Sequence, residues 1–140
     1  QSTGLDIIIN QAPHELRDIK NYPENCNLFS GSLRELAYIQ TKVVMHVGVD
    51  SGPAHLASLL NTDTLIINFN GNNMRGYMPC LSRNLKCVHT VQPPILARAV
   101  KYILWRFKNK KTGLKVFNHT LKPRRVAKKI FEILHSKNTN

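Results

Sequence analysis

Apolar positions fall in short runs separated by segments of helical character. "LDIII" at residues 5–9 is apolar and β-branched, the pattern of a buried strand. "APHELRDIKNY" has helical composition, and Pro23 breaks it. "CNLF" has the length of a short strand. "SLRELAYIQ" at residues 32–40 opens with Ser32 and places Glu35 three residues on. That is capping-box spacing, in which each side chain satisfies a free backbone donor at a helix start. Leu33, Leu36, Ala37 and Ile39 supply its apolar positions. "VVMHVGV" at residues 43–49 is apolar on both faces, which suits a parallel sheet covered on both sides. "PAHLASLL" predicts a short helix with proline in its first turn. Asn61 suits the left-handed position that ends it. "TLIINF" and "KCVHTV" predict two further strands, with the loop "NGNNMRGYMP" between them.

Two helices are predicted to close the chain. "PPILARAVKYILWRFKNK" places Leu96, Ala99, Val100, Ile103 and Phe107 on one face, with Arg98, Lys101, Trp105 and Lys108 elsewhere. "KPRRVAKKIFEILHSK" has Pro123 near its start and an apolar stripe of Val126, Ala127, Ile130, Phe131 and Leu134. Arg124, Arg125, Lys128 and Lys129 point the other way. Between the two helices, "KTGLKVFNHTL" fits either a loop or a short added strand. Strands alternating with helices predict an α/β domain whose parallel sheet contains the strands near 5–9, 43–49 and 64–69. In such sheets ligands sit outside the carboxyl ends of the strands.

Composition supports a folded chain. Its 140 residues are 42% apolar, enough for one domain with a core. No apolar run reaches the ~18 residues of a membrane span. Cys26, Cys80 and Cys87 form no C-x-x-C pair, so neither a disulfide framework nor a metal site is expected. The thiols suit a reducing compartment such as the cytoplasm.

The net charge of +12 is uneven. Residues 1–100 hold eight Lys/Arg against seven Asp/Glu; residues 101–140 hold twelve against one, Glu132. Arg98, Lys101, Trp105, Lys108, Arg124, Arg125, Lys128 and Lys129 are therefore candidates for an anionic surface. The partner would be the inner face of the cytoplasmic membrane, met peripherally, with nucleic acid the lesser expectation. The bland alternative is a solvated face on helices that pack by their other side, with Trp105 a packing residue between them.

Candidate chemistry concentrates at "VVMHVGVDSGPAHLAS", where an apolar strand runs straight into Asp50, Ser51, Gly52 and Pro53. The first N–H groups of a helix lack internal partners, and the helix dipole makes that end positive. Together they suit an anion. Gly52 allows close approach, Pro53 uses no donor, Ser51 offers a hydroxyl and His55 a ring nitrogen. Asp50 would repel phosphate, and is expected to bond backbone amides of the turn or a sugar hydroxyl. Asp50 or Ser51 simply capping the helix is the structural alternative.

The segment "SLRELAYIQTKVVMHVGVDSGPAHLASLLNTDTLIINFNG" resembles glycosyltransferase family nine, the heptosyltransferases of lipopolysaccharide core synthesis. The likeness is carried by Asp50, Ser51, Gly52, His55, Leu56, Ala57 and Ser58, then by Phe69, Gly71 and Pro79. It spans roughly residues 5–107 and is specific at "DSGPAHLAS". It implies a GT-B enzyme of two Rossmann-like domains, this chain being the three-layer, donor-binding half, with residues 93–140 as closing basic helices. It further implies that Asp50, Ser51, Gly52, Pro53 and His55 lie against the diphosphate of a nucleotide-sugar donor. Ser30, Gly31 and Ser32 would lie near the nucleoside, and Asn70 and Gly71 at the cleft edge. No metal or other cofactor is expected; the nucleotide sugar is a substrate, and the acceptor is a glycan or lipid-linked glycan. The family's acceptor domain, with its catalytic base, and a phosphate-binding lysine would precede Gln1. The chain is thus expected to be a fragment of a two-domain protein or a degenerate relative, inactive alone.

Overall fold

The computed structural model describes residues 4–11, 24–68, 87–96, 99–100, 103 and 121–137. The helix expected before Pro23, the loop expected at 70–79 and the link at 111–120 lie outside the described residues. The chain divides into two units, Gln1–Ile39 and Gln40–Asn140.

In the first unit, β1 (Ile7–Asn10) runs parallel to β2 (Cys26–Phe29), with Ile7 opposite Cys26 and Asn10 opposite Phe29. Ile7 N–H donates to Asn25 O at 2.9 Å and Gln11 N–H to Phe29 O at 3.0 Å, extending the ladder at both ends. The strand expected at 5–9 exists, but its expected burial does not. Ile7 is 46% and Ile8 44% exposed. A strand with one neighbour in a two-stranded ribbon has little to cover it. After β2 the chain turns through Ser30, Gly31 and Ser32 into α1 (Leu33–Gln40). The capping box forms as its spacing predicts. Glu35 N–H donates to Ser32 Oγ at 3.3 Å, and Ser32 N–H donates to Glu35 Oε2 at 2.7 Å. The Ser32 hydroxyl also donates to that oxygen. The hydroxyl first, then the backbone N–H, hold the Glu35 carboxyl below its usual range. Leu36 is buried as expected, whereas Leu33, also expected on the apolar face, is exposed, and the polar Gln40 is buried. At the first helical position a side chain projects past the helix start, so packing along the helix begins at Leu36.

In the second unit, β3 (His46–Gly48), β4 (Thr64–Ile67) and β5 (Val88–Val91) form a parallel sheet in the order β3-β4-β5. His46 stands opposite Thr64, and Thr64 opposite Val88. The strands expected near 43–49 and 64–69 therefore pair in parallel, while β1 pairs with β2 in a separate sheet. The fold is α/β with small parallel sheets. β4 is central, and Leu65 and Ile66 on its opposite faces are both fully buried, each worth about 1.5–3 kcal/mol. Among the described residues β3 pairs with β4 alone, and Val44, Val47 and Val49 are exposed, against the expectation of a strand covered on both faces. Between them, α2 (Gly52–Leu59) connects β3 to β4. It ends in a Schellman motif. Asn61 takes φ 60°, its N–H donates to Ser58 O, and Thr62 N–H donates to Ala57 O. Buried Thr62 and Thr64 are satisfied locally, Thr62 Oγ1 donating to Gln40 O and Thr64 Oγ1 to Thr62 O.

The last element, α3 (Pro123–Lys137), packs on β4 and β5 through a core of Leu65, Val91, Leu121 and Ile133, flanked by Met45, Ile67, Val126 and Ile130. The buried stripe is rotated from the predicted one. Ile133 lies inside, Ala127 is exposed, and Phe131 and Leu134 are half-buried. Two contacts fix its direction. Leu121 joins Val91 at the carboxyl end of β5, and Lys137 pairs with Asp63, just before β4. Hence α3 runs antiparallel to the strands, and its first turn lies toward their carboxyl edge.

Helical backbone is also described at Ile95, Leu96, Ala99, Val100 and Ile103. Leu96 is 76% and Ile103 52% exposed, so these members of the predicted apolar face are turned to solvent. Beside β5 the core positions are filled by α3, which leaves these residues without that partner. Among the described residues no helix is long and apolar enough to cross a membrane.

Candidate functional site

β3 ends at Gly48 and the chain bends through Val49, Asp50 and Ser51; Ser51 itself is extended, with φ −160° and ψ 163°, and α2 begins at the next residue. Pro53 sits in its first turn. His55 N–H donates to Ser51 O at 3.1 Å, which makes Ser51 the N-cap. Its side chain does not cap. Ser51 Oγ donates instead to Val49 O at 3.1 Å, and no side-chain cap bond forms. Pro53 has no N–H, so the donors that helix geometry leaves free in this turn are those of Gly52 and Ala54. Ala54 is fully buried and Gly52 is exposed. A Cβ built on Gly52 would meet nothing within 4 Å, so the space over its Cα is open.

The inward face of α2 is made of small residues. Ala54, Ala57 and Ser58 are buried, and Ser58 Oγ donates to His55 O at 2.8 Å. Small side chains let the helix lie close to the sheet, and the larger His55 is left part-exposed. Its Nε2 lies 3.2 Å from Asp50 Oδ1. A carboxylate only accepts, so the imidazole donates from Nε2. Asp50 thus engages His55 rather than the turn amides assigned to it from sequence. This pairing is what sequence reasoning missed. The signal was there in the five-residue spacing across a helix start, which puts Asp50 just outside the N-cap and His55 one turn in. No acidic residue occupies the first turn of α2, so its positive end is not neutralised from within the helix.

The structure brings Asp50, Ser51, Gly52, Pro53 and His55 together at the carboxyl end of β3. Ser30, Gly31 and Ser32 belong to the first unit, at the carboxyl end of β2. There the Ser32 hydroxyl is committed to Glu35 in both directions. A Cβ on Gly31 would stand 2.6 Å from Phe29 Cζ and 2.8 Å from Glu35 Oε2, so glycine here accommodates that ring and carboxylate. Asn70, Gly71, Arg98, Lys101, Trp105 and Lys108 lie outside the described residues. Arg124, Arg125 and Lys128 are exposed on α3, and Lys129 pairs with Glu132 at 3.1 Å.

Two further histidines lie in the second unit, at the amino side of its sheet. His46 is half-buried, with Nδ1 2.9 Å from Gln40 Nε2, and burial pushes its pKa down. His89 Nε2 lies 3.6 Å from Asp63 Oδ1, and Lys137 pairs with the other oxygen of the same carboxylate. Among the described residues no three His, Cys, Asp or Glu side chains converge as metal ligands would.

The second unit is α/β with a small parallel sheet, and its glycine-containing turn stands at the carboxyl end of β3. No protein-family model matches the chain, and no curated protein or solved structure does so either.

Proposed function

We propose that the unit Gln40–Asn140 binds the diphosphate of a nucleotide sugar at the turn of residues 50–53, as the donor-binding half of a glycosyltransferase. In this reading the unit is Rossmann-like, with α2 and α3 covering opposite faces of the sheet. The donor sugar is heptose or a relative of it, and the acceptor is lipopolysaccharide or a related surface glycan. The observation that carries it is the open space over Gly52, at the positive start of α2 and the carboxyl end of β3. The likeness of "DSGPAHLAS" to family nine supports the choice of a nucleotide sugar among anions. The Gly52 N–H meets a phosphate oxygen, the Ser51 hydroxyl joins it by turning away from Val49 O, and His55, held at Nε2 by Asp50, donates from Nδ1 when both ring nitrogens carry protons. Stabilising the departing diphosphate is this chain's part in the reaction. Activating the acceptor hydroxyl belongs to a base on another domain.

Calorimetric titration with nucleoside diphosphates tests it. A hydrogen bond to a charged group is worth about 1.5–3 kcal/mol. His55→Ala therefore weakens binding roughly 10-fold or more while the fold is kept. Gly52→Val weakens it further, because the branched side chain fills the open space. Folded variants that bind as tightly as the parent would reduce the turn to a helix start and end the donor-site reading.

A further inference from the structure

Two features of the second unit lie outside the donor turn and belong together. The first is the outward face of α3. Lys122, Arg124, Arg125 and Lys128 are exposed there, and none of the four forms an ion pair among the described residues. The single acid of the helix, Glu132, is taken by Lys129. The second is the helical stretch after β5. Its Ile95, Leu96, Val100 and Ile103 are exposed at 81%, 76%, 36% and 52%. All four are aliphatic and fall within nine residues of sequence. Residues 93–111 carry six Lys/Arg and no acid. The first described helical residue after β5, Ile95, follows Val91 by four residues, and α3 begins two residues after Leu121, which shares an apolar cluster with Val91.

From these we infer that the second unit docks on an anionic phospholipid surface, with the exposed side chains of Ile95, Leu96, Val100 and Ile103 entering the interface and Arg124, Arg125 and Lys128 meeting lipid phosphates. The charge selects an anionic partner. The exposed aliphatic residues then select among anionic partners, because nucleic acid backbones offer nothing to four aliphatic side chains, whereas the headgroup–acyl boundary buries them. Exposed aliphatic residues in a stretch that carries six Lys/Arg and no acid match the composition of a helix lying in a membrane surface. The inference uses none of the donor-turn residues and stands or falls apart from that reading.

The test is co-sedimentation of the full chain with phosphatidylcholine vesicles, with and without about one third phosphatidylglycerol. The expected result is pelleting with the anionic vesicles and little with the neutral ones. Arg124→Ala, Arg125→Ala and Lys128→Ala together weaken it by about 5-fold per charge removed. Leu96→Glu with Ile103→Glu weakens it further, and does so even where salt has screened the charges. All five side chains are exposed, so circular dichroism of the variants should match the parent. No pelleting with anionic vesicles overturns the inference. So does pelleting that Leu96→Glu with Ile103→Glu leaves unchanged while a duplex oligonucleotide competes it away, since the basic face would then be a nucleic-acid surface.

Discussion

His46 opens β3 from within an apolar run, and its neighbours give it an unusual setting. Its ring bonds Gln40, and its Nε2 lies 2.9 Å from where a Cβ on Gly48 would stand. Desolvation lowers its pKa, so the folded state resists the proton that the unfolded chain takes up near 6.5. Stability is therefore full above about 6.5 and falls as pH drops below it, levelling off only under the folded pKa. Thermal midpoints between about pH 7.5 and 5 should fall in the parent. They should fall less in His46→Gln, which has no proton to gain. The same contact makes Gly48→Ala destabilising by about 1–3 kcal/mol, since the half-buried ring must move. His46→Ala in the same molecule should relieve that strain, which denaturant unfolding of the double-mutant cycle measures. None of this was legible in "VVMHVGV", where His46 reads as one position in an apolar strand. Its burial depends on Gln40, the end of a helix that sequence periodicity treats as polar.

Elements were legible in proportion to how local their signals are. The capping box of Ser32 and Glu35, the proline in the first turn of α2 and the left-handed Asn61 all appear as read, because each is decided within a few residues. The face of α3 was not. Val126 and Ile130 continue with equal periodic justice to Ile133 or to Leu134, and a 3.6-residue repeat does not choose between them. The choice is made at a distance, by Leu65 and Val91 beneath the helix and by Lys137 reaching Asp63. Ile133→Ala should accordingly cost about 2–5 kcal/mol, while Leu134→Ala, half-buried, costs visibly less. Urea midpoints compare the two directly. Equal losses would mean that the predicted stripe, not the observed one, carries the packing.

For the whole molecule, the alternation of strand and helix predicted an α/β fold, and parallel pairing of β3 with β4 agrees with it. Which strand joins which sheet was not readable. β1 and β2 share a ladder of their own, and short β-branched runs carry no label for their partner. The apolar face read at Leu96, Val100 and Ile103 is exposed, and its direction was not legible, since an apolar face looks the same in sequence whether it packs inward or faces out. The candidate site was legible as a turn, down to its five residues, but not as a paired acid and imidazole. α3 supplies Leu121 and Ile133 to the core of the second unit. A chain ending at residue 120 should therefore lose its cooperative thermal transition, whereas the triple substitution at Arg124, Arg125 and Lys128 should keep it.

The antiparallel course of α3 has an electrical consequence. α2 and α3 both begin toward the carboxyl edge of the sheet, so their dipoles add, each placing roughly half a positive charge there. Parallel strands add little of their own. Arg124 and Arg125 reinforce that pole, while His135 and Lys137 offset the opposite one in the last turn of α3. The second unit is thus polarised along its strands. An approaching anion is turned toward one edge before it touches anything, and added salt should slow its capture more than it hastens its escape.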